Sequence, residues 1–191
     1  MKDLEDYCPP SQRDWRDWLE RYHQAKEGVW LILYKTKSPK HNLSWSEAVD
    51  EALCFGWIDG IKKKIDAESY RQYFTKRKAN STWSRVNKEK VDLLVDQGLM
   101  TAEGYRSIEV AKENGSWTLL DEVEALVVPE DLQGEFAHHP GAREYFDGLS
   151  KSTKKILLYW VISAKRPETR QKRISVVAEN AAQGLKPKQF R

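Results

Sequence analysis

Apolar positions along this chain recur with two different periods, and the periods place its elements. In DWRDWLERYHQA, Trp15, Trp18, Leu19 and Tyr22 fall at i, i+3, i+4 and i+7, which is one face of a helix. Gly28 ends that pattern. VWLILYK, residues 29–35, is almost wholly aliphatic or aromatic, so it predicts a short central strand buried on both faces. SPKHN, with Pro39 and Asn42, predicts a loop. Ser44 with Glu47 three residues on matches a capping box for the helix SWSEAVDEALCF, and Gly56 is placed to close it.

The period then changes from helical to alternating. WIDG sets Asp59 before Gly60, a pair suited to a tight turn in which the glycine takes positive φ. Beyond it Ile61, Lys63 and Ile65 alternate with Lys62 and Lys64. After DAES, a second run alternates again, with Tyr70, Gln72 and Phe74 on one face and Arg71, Tyr73, Thr75 and Arg77 on the other. A hairpin follows, with one packed face and one basic face carrying an aromatic ring. Ser81, Thr82 or Ser84 caps a helix bearing Val86, Val91, Leu94 and Val95. A further helix spans about 101–113, its buried side marked by Tyr105 and Ile108.

After Trp117 no strand pattern remains. LDEVEALVVP is an acidic connector, and two longer helices follow. One starts at Ser150 or Ser152 and stacks Ile156, Leu157, Trp160 and Val161. The other starts after Pro167 and repeats Ile174, Val177, Ala178 and Ala181. The expected class is α+β: a small sheet of antiparallel type with packed helices, then an all-helical C-terminal subdomain. The expected boundaries are an α+β domain over 1–116, the acidic connector over 117–128, and the helical subdomain with a basic tail over 129–191.

Composition narrows this further. The chain has 191 residues, 40% hydrophobic and 32% charged, which is globular, and no apolar run is long enough for a membrane span. The N-terminal stretch is polar and acidic and does not resemble an export signal, so the expected address is the cytoplasm. Two cysteines, Cys8 and Cys54, do not make a disulfide framework. The net charge of +3 conceals segregation: residues 61–90 hold 10 basic and 3 acidic groups, 91–150 hold 3 and 13, and 151–191 hold 11 and 2. Such blocks either meet an anionic partner or face one another within the molecule.

Four stretches, GVWLILYK, EALCFGWIDG, the run ending STWSRVNKEKV, and SAKRPETRQKRI, resemble in order and spacing the YdeI/OmpD-associated, or bacteriocin-protection, family. The resemblance implies a small bacterial α+β protein with a helical C-terminal region, linked to protection against toxins or stress. It implies no catalytic activity.

The residues offer three candidate sites. The first is the basic aromatic hairpin: Lys62, Lys64, Arg71 and Arg77 as phosphate contacts, Tyr73 and Trp83 as stacking rings, and Ser84 and Asn87 as orienting groups at a helix N-terminus. Its expected ligand is anionic, with nucleic acid the first candidate. The same residues would also serve as a solvated edge strand whose lysines guard against sheet-to-sheet pairing. The second is a pocket near Cys54, Trp57 and Asp59, where a thiol activated by neighbouring lysines would be a nucleophile; the alternative is a core cysteine and a turn aspartate. The third is the cluster Lys165, Arg166, Arg170 and Arg173, which either clamps a phosphate or pairs with the acidic 91–150 block. His23, His41, His138 and His139 show no metal-ligand spacing, and there is no phosphate-cradling glycine loop, so no cofactor is expected. Eight tryptophans also suit a protein-interaction module.

Overall fold

A computed structural model describes residues 5–191; the first four residues, part of the polar leader, lie outside the described residues. The chain divides between Trp117 and Thr118 into two compact units. The first is α+β, with a four-stranded mixed sheet, and the second is all helical.

The first unit opens with β1 (Asp6–Tyr7) and α1 (Gln12–Tyr22), followed by β2 (Gly28–Tyr34) and α2 (Trp45–Cys54). The hairpin β3 (Trp57–Lys64) and β4 (Ser69–Lys76) comes next, then α3 (Arg85–Asp96) and α4 (Ala102–Glu113). The sheet order is β1-β2-β4-β3, with β1 parallel to β2 and the other pairs antiparallel. β2 is therefore central, as its apolar run predicts, but of its apolar side chains only Val29, Leu31 and Leu33 are fully buried. They pack with Phe74 of β4 and with Trp15, Trp18 and Leu19 of α1. The alternate positions Trp30, Ile32 and Tyr34 are half-buried on the sheet's outer face, which corrects the expectation of a strand buried on both faces.

The local signals account for α2. Ser44 Oγ accepts from the Glu47 N–H at 3.2 Å while the Glu47 carboxylate accepts from the Ser44 N–H at 2.7 Å, so two orphan donors of the first turn are satisfied at once. Those bonds hold the Glu47 carboxyl below its ordinary range. Gly56 closes the helix with φ 69°.

Two expectations fail for identifiable reasons. WIDG is not a turn: Trp57–Lys64 is one strand, and Gly60 lacks positive φ. Instead the register slips between Asp59, which pairs with Phe74, and Lys62, which pairs with Gln72, so Gly60 and Ile61 form a bulge opposite Tyr73. Buried Gln72 secures it, donating to the Gly60 carbonyl at 2.8 Å and to Asp59 at 3.2 Å. In α4 the buried side is Gly104, Ile108 and Ala111, while Tyr105 is exposed. The helix is turned by one position because Gly104 sits against the Cys54 carbonyl, where no larger residue fits.

The second unit contains α5 (Asp121–Glu124), α6 (Glu130–Ala137), α7 (Ala142–Gly148), α8 (Lys151–Ile162) and α9 (Pro167–Ala182), with a closing 3-10 turn at Lys188–Phe190. Ile174, Val177, Ala178 and Ala181 of α9 are buried as their spacing predicts. In α8 the buried set is Leu157, Leu158 and Val161, and Ile156 is exposed. Val123 and Val128, from the acidic stretch, belong to this core. No helix among the described residues is long and apolar enough to cross a membrane.

Candidate functional site

The bulge decides which hairpin residues meet. Cross-strand partners share a face, so Lys62 and Lys64, opposite Gln72 and Tyr70, lie on the helix-covered side at the sheet's edge. Lys63, opposite Arg71, lies on the outer side. An unbroken alternation would have put Lys62 and Lys64 beside Arg71 and Tyr73; the inserted residue exchanges the faces. Lys62 Nζ accordingly sits 3.7 Å from the centre of the Tyr70 ring.

On the outer face Trp30, a residue the sequence reading did not single out, becomes the centre of a cluster. Lys63 Nζ lies 5.0 Å and the Arg71 guanidinium 4.7 Å from its ring, and the Tyr73 ring is 5.3 Å away at 48°. Arg71 also pairs with Asp6 of β1 at 3.2 Å. The Tyr73 ring lies against Gly28 and Gly60, and either glycine's missing side chain leaves it room. Alternating residues on paired strands therefore bring two aromatic rings and two cations onto one side of the sheet, fringed by exposed Lys62 and Lys64.

The other hairpin candidates go elsewhere. Arg77 follows β4, and its guanidinium is stacked 3.6 Å from the centre of the Trp83 ring. Trp83 is 1% exposed and packs on Trp117, so it is a core ring with no face open for stacking on a base. Ser84 caps α3 by accepting from the Asn87 N–H at 3.3 Å, which commits the Ser84 hydroxyl and the Asn87 backbone to the helix start.

Cys54, Trp57 and Asp59 are each held by contacts of their own. Cys54 is fully buried at the end of α2, and burial, with Glu51 second, pushes its thiol up to about 11. A thiol so protonated at neutral pH is a poor nucleophile. Trp57 donates from Nε1 to the His23 carbonyl at 3.3 Å. Asp59 accepts from Trp45 Nε1 at 3.0 Å and from Gln72, so its carboxylate is engaged in holding α2 and the bulge together.

The second basic cluster is divided too. Arg170 forms a fork on Asp131, with contacts of 2.6 and 3.0 Å, and this pairing holds the Asp131 carboxyl below its ordinary range. Arg173 donates to the Trp160 carbonyl and to Ser163 and lies over the Trp160 ring. Lys165 and Arg166 are exposed. Pairing with the acidic block thus accounts for Arg170, but inside the helical unit. Among the described residues no three His, Cys, Asp or Glu side chains form a group able to hold a metal ion.

Residues 7–107 match the model of a domain of unknown function, DUF8412, and residues 125–184 match the family described as bacteriocin-protection, YdeI or OmpD-associated. The segment SAKRPETRQKRI lies inside the second match; the other three stretches that carry the resemblance lie inside the first. No curated protein and no solved structure matches the chain.

Proposed function

The chain belongs to the DUF8412 family over residues 7–107 and is of the YdeI/OmpD-associated type over 125–184, and from that premise we propose that it is a toxin- or stress-protection protein that binds an anionic ligand, nucleic acid first, on the outer face of its sheet. The observation that carries this reading is the Trp30 ring with the cations Lys63 and Arg71 both within about 5 Å and Tyr73 beside it. Aromatic rings on a sheet face offer stacking to any base, and neighbouring cations offer contacts to the phosphates between bases. Lys62 and Lys64 extend the charge along the edge. Protection is suggested by the description of the second family.

The test is fluorescence anisotropy with labelled single- and double-stranded oligonucleotides across about 50 to 200 mM salt, where phosphate contacts weaken steeply. Binding that falls with salt is expected, stronger for the single strand, and lost in a Trp30→Ala, Tyr73→Ala double variant. Replacing Lys63 and Arg71 by alanine should flatten the salt dependence by about one phosphate contact each. Absence of binding at the lowest salt would overturn the reading.

A further inference from the structure

Arg77 is a cation without a counter-ion in a place where one is needed. Its guanidinium is largely withdrawn from solvent; among the described residues its Nε has no hydrogen-bond partner, and its one side-chain hydrogen bond is a long 3.5 Å contact from Nη2 to the Thr82 carbonyl. Among the described residues no carboxylate lies within ion-pair range. Asp59 acts on it only through space, and that carboxylate is already taken by Trp45 and Gln72. Buried charges are ordinarily paired. The Trp83 ring beneath Arg77 supplies a cation–π contact, which does not use up in-plane N–H donors.

The same residue lines a cleft of about 600 Å³ in the first unit. Phe55 and Trp57 are buried beneath it, Val110 and Ala79 supply the open apolar surface, and Lys78 and Arg106 add exposed cations that make no ion pair among the described residues. Lys76 also borders the cleft but is engaged by Glu27 at 2.7 Å, and Glu103 is the one acid in the lining. A volume of this size suits a small organic molecule. Arg77 is anchored where it stands: its N–H donates to the Gly56 carbonyl at 2.9 Å, tying the strand end to the turn that closes α2.

We infer that this cleft binds a small organic acid, with a carboxylate or phosphate held by Arg77, Lys78 and Arg106 and an apolar body resting on Val110 and Ala79. Planar N–H forks match both oxyanions, so the head group alone does not distinguish them. The site is separate from the outer sheet face, and neither reading depends on the other.

The experiment is calorimetric titration of the full chain at low ionic strength with four probes: benzoate, phenyl phosphate, inorganic phosphate and the neutral benzamide. One saturable site per chain is expected for benzoate or phenyl phosphate, and which of them binds identifies the head group. Benzamide should not bind. Arg77→Met should weaken binding by about tenfold or more, the loss of a charge-assisted hydrogen bond. A Lys78→Ala, Arg106→Ala variant, altered only at exposed positions, should also weaken it and decides the matter if Arg77→Met does not fold. Trp30→Ala should leave it unchanged. The inference is overturned if neither organic anion binds, if benzamide binds equally well, if inorganic phosphate binds as tightly as phenyl phosphate, or if folded Arg77→Met binds like the wild type.

Discussion

The Tyr73 hydroxyl lies directly over Gly28: a Cβ built on that glycine would stand 2.4 Å from the oxygen. Gly28 faces outward on β2, paired with Thr75, so the aromatic platform depends on a missing side chain one strand away. Gly28→Ala should move the Tyr73 ring rather than the backbone, since the obstructing atoms are the far end of a side chain. The expected loss is about 1 kcal/mol, and it should vanish in a Tyr73→Ala background. A double-mutant cycle by urea unfolding measures that coupling. The same variant should weaken oligonucleotide binding if Tyr73 stacks where it now lies.

A second glycine meets backbone, and the outcome differs. At Gly104 a Cβ would be 2.4 Å from the Cys54 carbonyl oxygen, and that oxygen is already fixed by the Thr101 N–H at 3.1 Å and the Thr101 hydroxyl at 2.7 Å. α4 cannot yield without breaking those bonds. Gly104→Ala should destabilise the first unit by about 2 to 3 kcal/mol. Gly134, exposed in α6 with nothing within 4 Å of its would-be Cβ, should respond in the opposite sense. Gly134→Ala should stabilise the second unit by up to about 1 kcal/mol through helix propensity. Thermal unfolding of both variants checks the contrast.

The two thiols should behave differently. Cys8 is exposed and Cys54 is fully buried. Iodoacetamide at neutral pH should add one group to the folded chain, at Cys8, and a second only after unfolding, as mass spectrometry would show. Because the fold raises the Cys54 thiol from an ordinary 9 to about 11, the unfolded chain binds fewer protons in that window. This group's contribution is therefore intact below pH 9 and is lost as the pH rises toward 11. Fast alkylation of Cys54 in the native state would restore the case for a nucleophile.

The elements were legible where one physical rule acts alone. The capping box at Ser44 and Glu47, the stop at Gly56 and the repeat through Ile174 and Ala181 needed only local spacing. The site was less legible because it depends on pairing. Whether Lys62 or Lys63 faces Trp30 turns on one bulged residue, and its one local mark, Gly60 within a strand pattern, reads equally well as a turn. Trp30 itself was hidden inside a run apolar at every position, where a buried and a half-buried face look alike. β1, two residues long, is too short to show any period. Basic residues were identified by type, but their partners, Asp6 for Arg71 and Asp131 for Arg170, come from 65 and 39 residues away.

Arg77 offers the sharpest separation of stability from binding. Burial pushes its guanidinium down to about 10, with only Asp59 opposing the shift. The fold therefore disfavours the charged form, at a cost of roughly 3 kcal/mol. Methionine is two atoms shorter but can lay its thioether against the Trp83 ring without a charge, so Arg77→Met should leave the melting temperature unchanged or raise it. The sign of the pH dependence follows. Below pH 10 both states carry the proton and the full cost is present. Above pH 10, up to the ordinary guanidinium range, the unfolded chain holds its proton while the folded chain releases it, so wild-type stability gains relative to the variant. The advantage of Arg77→Met should be greatest near neutral pH and shrink above pH 10, a comparison in which the titrations of tyrosine and lysine cancel. A variant that instead melts well below the wild type at neutral pH would mean that Arg77 also serves the fold through its contacts to Trp83 and Thr82, and the test of the cleft then passes to the Lys78→Ala, Arg106→Ala variant.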